Sequence, residues 1–216
     1  MTKGDYVQWI FPGDTLHPCA VARMTAAIEL SDRPLSMLVN NGEGEFSDFF
    51  PYMNFPRSEP FYVVNRLSWH RELLRDGKIP STGVTGLFVR REMMRECGWM
   101  RCAFMKRKFL PLIMYDKILK HCAGEAGSVA AGIVQEKYVT HDSRHITPSD
   151  WIWHQLEHYS IISLNDDDDL REACIEGLRH IADGHKLALS FDKTSVEPDL
   201  WQAYTDMMNE VSNIVS

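Results

Sequence analysis

From Asn65 onward, residues that start and stop helices bracket one apolar stripe after another, and this punctuation constrains the fold more than any other feature. The clearest bracket is Thr147-Pro148-Ser149-Asp150. Threonine offers a side-chain oxygen to the free amides of a first turn, and proline suits the first helical position, where its missing N–H loses no partner. This run predicts a helix from Thr147 to about Ile162. Asn65 to Asp76, closed by Gly77, predicts another, and Thr85 to Cys97, closed by Gly98, a third. Trp99 to His121 is apolar and basic, and Pro111 divides it. Gly127 to Tyr138 predicts a further helix. Stripes at Leu170, Cys174, Leu178 and Ile181, and at Leu200, Tyr204, Met207, Val211 and Ile214, mark two more.

The N-terminal part is less regular. Tyr6 to Phe11 predicts a short strand or an anchoring segment, closed by the turn signal Pro12-Gly13-Asp14. Thr15 then caps a helix to about Leu30, with Ala20, Met24, Ala27 and Ile28 on one face. Residues 41–60 are rich in Gly, Pro and aromatics, the composition of a functional loop. The expectation is an all-α chain: a single globular domain, 1–216, forming a compact bundle of seven or eight helices with at most a token N-terminal strand. Hydrophobic residues make up 44% of the chain, enough to bury a core.

No apolar run approaches the roughly 18 residues of a membrane span, and no charged-then-apolar leader opens the chain. The expected location is therefore cytoplasmic, with no membrane partner. The five cysteines include no CxxC pair, which argues against a disulfide framework and a cysteine zinc site and predicts reduced, largely buried thiols. Neither a phosphate-binding glycine loop nor a dinucleotide fingerprint is present, so no cofactor is expected.

A net charge of −7 argues against nucleic-acid binding by the whole surface, but the charge is unevenly spread. From Gly86 to Lys120 nine Lys/Arg face three Asp/Glu, and from Ser163 to the end twelve acids face four bases. Either run also suits the solvated side of a helix.

Several side chains could carry chemistry. His154 and His158 stand four apart on one helical face, as metal ligands can, but Gln155-Leu156-Glu157 between them lacks the glutamate position of a zincin. With His141 and Asp142 they form the basis of one alternative, a metal-dependent hydrolase. The Asp166–Asp169 run reads as the acidic first turn of a helix capped by Asn165. His141-Asp142-Ser143-Arg144-His145 looks like the His-x-x-Arg box of tyrosine recombinases, yet no tyrosine follows His158 at the interval that family needs.

The segment Gly124-Glu125-Ala126-Gly127-Ser128-Val129-Ala130-Ala131-Gly132-Ile133-Val134 is similar to the hairpin and following helix of the helix-hairpin-helix DNA glycosylases. Val139-Thr140-His141-Asp142 stands about where that family has its aspartate. The hairpin carries one extra residue, Cys122-Ala123 replaces its leading Leu-Pro, and the spacer to Asp142 is several residues short. The resemblance implies an enzyme that excises a damaged or modified base from duplex DNA after flipping it. It implies Asp142 as the carboxylate that stabilises the cationic sugar and orients a water, with Asp150 in reserve. Gly124, Gly127 and Ser128 would present backbone amides to a phosphate, and Arg101, Lys106 and Lys108 would supply cationic contacts. Phe50, Tyr52, Trp69 and Trp151 would line the base pocket. Ser128 and Val129 occupy the place of the lysine of lyase-competent members, so the implied enzyme is monofunctional. The second alternative is a non-catalytic all-α interaction protein that binds through its acidic C-terminal helices.

On the base-excision reading, Asp142→Asn abolishes base release from modified DNA while DNA binding and stability stay nearly unchanged, a loss of roughly a hundred- to thousandfold in rate. Scoring abasic sites by alkaline cleavage checks this. Full activity of the variant removes Asp142 from the chemistry.

Overall fold

The computed structural model describes residues 4–8, 15–16, 18–29, 37–39, 52–53, 62–63, 65–80, 87–97, 111–121, 130–131, 139–140 and 147–215. Its elements are β1 Tyr6–Gln8, β2 Thr15–Leu16, α1 Ala20–Glu29, β3 Met37–Val39, β4 Tyr52–Met53, β5 Tyr62–Val63 and α2 Arg66–Asp76. Then follow β6 Ile79–Pro80, β7 Leu87–Arg90, α3 Arg91–Glu96, α4 Pro111–His121, β8 Ala130–Ala131, β9 Val139–Thr140, α5 Pro148–Ser163, α6 Arg171–Leu189 and α7 Pro198–Val215. The described residues are mostly helical, with seven helices, as expected. Their strands are more than a token.

β7 is the central strand of a three-stranded antiparallel sheet, with β1 on one side and β3 on the other. Three two-stranded ladders join distant segments: β2 with β9, β4 with β6 and β5 with β8. These pairings overturn three expected helix boundaries. Thr15 lies in β2, and α1 begins only at Ala20. Residues 87–90, expected inside a helix capped by Thr85, form β7, and only Arg91–Glu96 is helical. Ala130–Ala131 is extended against Tyr62–Val63 within the stretch expected to be the helix Gly127–Tyr138. Leu87, Phe88 and Val89 are all buried, as suits a strand with a neighbour on each edge, and such cross-strand packing outweighs local helix propensity.

Elsewhere the punctuation works as the chemistry demands. The Asn65 side chain accepts from the amides of Leu67 and Ser68 at 2.9 and 3.2 Å and so starts α2. Gly77 ends it at φ 62°, where its N–H donates to the Leu73 carbonyl. Thr147 and Asp150 form a reciprocal capping box at the start of α5. Asp167, rather than Asn165, caps the turn of 3-10 helix that precedes α6.

One buried cluster draws on β3, α2, β7, α3 and α4 and on the whole of α5 to α7; Trp69, Tyr115, Tyr204, Leu73 and Leu74 are among its fully buried side chains. Ile214 departs from the expected stripe and is 60% exposed, while its neighbour Val215 packs against the core. The thiols also depart from expectation: Cys19 is exposed, and Cys97 and Cys174 are partly so. No helix among the described residues is long and apolar enough to cross a membrane.

The closest approach of two elements is that of α2 to α6. A Cβ added to Gly177 would overlap the Leu74 carbonyl oxygen and come within 2.7 Å of Ile162 Cδ1. A backbone oxygen cannot rotate away as a side chain can, so only glycine fits. Gly177→Ala is expected to destabilise the protein by at least about 1–3 kcal/mol, the usual cost of overpacking. Urea denaturation measures it, and an unchanged midpoint would mean that α2 and α6 are not so close.

Candidate functional site

Most of the residues expected to act on DNA lie outside the described residues: Phe50, Arg101, Lys106, Lys108, Gly124, Gly127, Ser128 and Asp142; so does His141 of the metal-hydrolase alternative. Tyr52 stands in β4, of which only the backbone is described. The remaining three are built into the fold. Asp150 is buried, and its Oδ2 accepts from the Thr147 amide at 2.9 Å and the Thr147 hydroxyl at 2.8 Å, so its carboxylate is committed to starting α5. Trp69 has no exposed surface and packs tilted against Tyr115, with ring centres 5.7 Å apart. Trp151 packs edge-on to Phe191 and Tyr204. Both indoles are buried in the core, because α2 and α5 turn these faces inward.

The topology brings together an edge that periodicity alone does not reveal. In register, Gln8 lies opposite Phe88, and Val39 opposite Leu87. β1 and β3, each antiparallel to β7, are therefore parallel to one another, and their carboxyl ends meet the start of β7 at one edge. Since α1 lies between β1 and β3 in the chain, the three form a strand–helix–strand unit with a strand inserted between its halves. In open sheets of this kind, ligands bind beyond the carboxyl ends of the parallel strands, because side chains and amides from several connections converge there.

A second set of polar groups is buried among α2, α4, α5 and α6. His70 Nε2 stands 2.8 Å from Asp116 Oδ1, whose other oxygen is 3.1 Å from Lys120 Nζ; Lys120 also donates to the Leu164 carbonyl at 3.3 Å. A buried charge pair persists only when its remaining lone pairs and protons are also served, and this chain of contacts serves Asp116 on both oxygens. His154 and His158, which solvent or the core edge would ordinarily claim, are 5% and 1% exposed, since α5 is buried nearly all round. Burial lowers the His154 pKa to about 3, helped by His158 and His180. Burial likewise lowers His158, to about 4, against the pull of its hydrogen bond to Leu74. Among the described residues no three His, Cys, Asp or Glu side chains converge as a metal site.

A cleft of about 220 Å³ opens where α5 turns into α6, walled by Ile162, Ile175, Leu178 and Ile214 and rimmed by Asp166 and Asp168. Asp168 is paired with Arg171 at 2.9 Å. This acidic, apolar surface is formed by residues of α5, α6 and α7 and of the turn between α5 and α6.

Glu157 is the least satisfied of the buried groups. Neither carboxyl oxygen makes a well-formed hydrogen bond, although the Leu112 backbone amide is directed at the carboxylate. Burial pushes its pKa well above the ordinary range, and the Leu112 amide in the first turn of α4 pulls the other way without matching it. The folded protein therefore holds Glu157 protonated where the unfolded chain ionises, and folding takes up a proton. The stabilising effect of the neutral acid is complete below the unfolded carboxyl pKa and fades as pH rises toward the folded one. Glu157→Gln keeps the shape and cannot ionise. Its stability relative to the parent is expected to grow by up to about 1.4 kcal/mol per pH unit above pH ~4.5. Denaturant titrations at pH 5, 6 and 7 check this, and a constant difference would contradict it.

No protein-family model matches the chain, and no curated protein matches it in sequence. Its fold is similar to that of solved structures of S. aureus TarS. One, of residues 1–349 in complex with UDP-GlcNAc, aligns with the whole of this chain at a TM-score of 0.52 and 12% identity. Another TarS structure aligns over the whole chain at a TM-score of 0.54 and 11% identity. The chain spans 59% and 35% of the lengths of these two structures. At such identity the likeness is one of fold.

Proposed function

We propose that the chain is a sugar-nucleotide-binding domain of the glycosyltransferase kind, which takes its donor at the sheet edge bounded by Gln8, Val39 and Leu87. The observation that carries this reading is the strand–helix–strand unit β1–α1–β3, with both carboxyl ends at one edge. Parallel strands joined through a helix leave their ends open to solvent, and that opening is where α/β folds take nucleotides. The likeness of fold to TarS, a glycosyltransferase captured with UDP-GlcNAc, supports the same reading and extends over the whole chain.

The base-excision reading draws no support from the described residues. Its hairpin segment contains the extended pair Ala130–Ala131, and its two tryptophans are buried. A duplex-binding titration remains its direct check, with salt dependence as the signature of phosphate contacts.

Isothermal titration of the full chain with UDP-GlcNAc, with and without Mg²⁺, tests the donor reading. Saturable binding that UDP displaces is the expected result. Failure of UDP-GlcNAc and UDP alike to bind at millimolar concentration, in protein whose circular dichroism is helical, would contradict it.

A further inference from the structure

The C-terminal end of α2 is held in a way its own sequence does not require. A helix leaves its last carbonyls without intrahelical partners. The Leu73 carbonyl is taken by Gly77 N–H, as glycine-ended helices arrange. The Leu74 carbonyl is taken instead by His158 of α5, whose Nε2 lies 2.6 Å away. Because a carbonyl only accepts, Nε2 carries the proton and Nδ1 of the neutral ring carries a lone pair. That Nδ1 is buried and has no hydrogen-bond partner. It faces Gly77, where an added Cβ would lie 3.1 Å from His158 Nδ1 and 3.2 Å from His154 Nε2. His180 of α6 completes the group, its ring centre 6.2 Å from that of His158.

We propose that His154 and His158 form an acid-sensitive clasp, which holds the end of α2 between α5 and α6 while these two imidazoles are neutral and releases it when they are protonated; His180 stands exposed at its rim. Protonation of His158 puts a second donor on Nδ1, a buried atom that has no hydrogen-bond partner and faces Gly77. It also sets a cation beside the buried His154 ring, where repulsion is little screened, with the exposed His180 nearby on α6. The other charged groups at the joint do not offset this. From α2, Asp76 favours the cation, but its carboxylate is already shared by Arg75 and Lys78, each at 2.8 Å. From α6, His180 adds repulsion, while the Glu176 charge acts on Arg75. The Leu74 carbonyl does favour the imidazolium, as helix C-termini do, and this attraction works against burial and His180 together. The released element leads through Gly77 directly into β6, so opening the clasp also frees the β4–β6 ladder at one end.

The direction of the pH dependence follows from the burial of the neutral rings. Unfolded or released, His154 and His158 bind protons below about pH 6.5, and in the clasp burial holds both well below that. The clasp is therefore fully closed above pH 6.5 and loses stability as pH falls from there toward 4.

Hydrogen exchange of the full chain, followed by mass spectrometry between pH 7 and 4.5 and corrected for intrinsic pH dependence, tests the proposal. Protection at the end of α2, including the Gly77 amide, is expected to fall at least tenfold, while α7 keeps its protection. In His158→Gln the amide nitrogen can replace Nε2–H on the Leu74 carbonyl but cannot titrate, and the tenfold fall should shrink to under threefold. Equal loss in parent and variant, or loss spread evenly over all helices, would overturn the clasp. Should His158→Gln fail to fold, NMR titration of the parent decides. Imidazole signals of His154 and His158 that shift with a midpoint well below 6.5, together with the α2 amides, support it. Midpoints near 6.5, or signals that move independently of α2, refute it.

Discussion

The Leu74 carbonyl is the point on which the helical half of the molecule turns. It projects from the last turn of α2 into the joint with α5 and α6, accepts a hydrogen bond from His158 Nε2–H, and presses against Gly177 where any side chain would collide with it. A buried carbonyl without a partner costs about as much as a lost hydrogen bond, so the position of α2 depends on α5 supplying the donor. The glycine in α6 is the other half of the same constraint. It lets the two backbones approach closely enough to seal the carbonyl from water, which makes the single donor indispensable. Trp69, Leu73 and Leu74, all fully buried on α2, are set in the core by this contact.

The polar interior of α5 follows from the same crowding. A helix packed against α2, α4, α6 and α7 keeps only a narrow, partly exposed stripe, so the polar residues on its other sides must be neutral or paired. His158 finds a carbonyl and Glu157 keeps its proton. On α2 and α4, His70 and Asp116 pair, with Lys120 closing the network. The interior is thus arranged around neutral imidazoles and one neutral carboxylic acid. It tolerates neither strong acid, which charges the first, nor strong base, which charges the second. The small sheet lies apart from this arrangement in chemistry, and its open edge is where the proposed sugar nucleotide binds.

How much of this was legible in the sequence depends on the range of the interaction. Local signals were read correctly. Asn65 and Gly77 bound α2, Thr147 to Asp150 begin α5, and the stripes of α6 and α7 face inward up to Met207 and Val211. Pairings across long separations were not. β7 lies between strands that begin at Tyr6 and Met37, and nothing within residues 85–97 distinguishes a strand there from the first turns of a helix. The DNA-binding resemblance failed to find support for a related reason: a short glycine- and alanine-rich segment is compatible with helix or strand, and the partner of Ala130–Ala131 at Tyr62–Val63 is remote. The histidine pair on α5 was visible, but its meaning was not, since a spacing of four cannot say whether the face looks at solvent, a metal or a carbonyl. The signal that could have helped is α5 itself, where apolar residues stand on every side of the helix.

The tautomer of His158 tests the central constraint most directly. In ¹⁵N-labelled protein near neutral pH, long-range imidazole correlations distinguish a ring protonated on Nε2 from one protonated on Nδ1. The account predicts the Nε2–H form, with a through-bond coupling from Nε2 to the Leu74 carbonyl carbon. A ring protonated on Nδ1, or exchanging freely between the two forms, would contradict the hold of α5 on the end of α2.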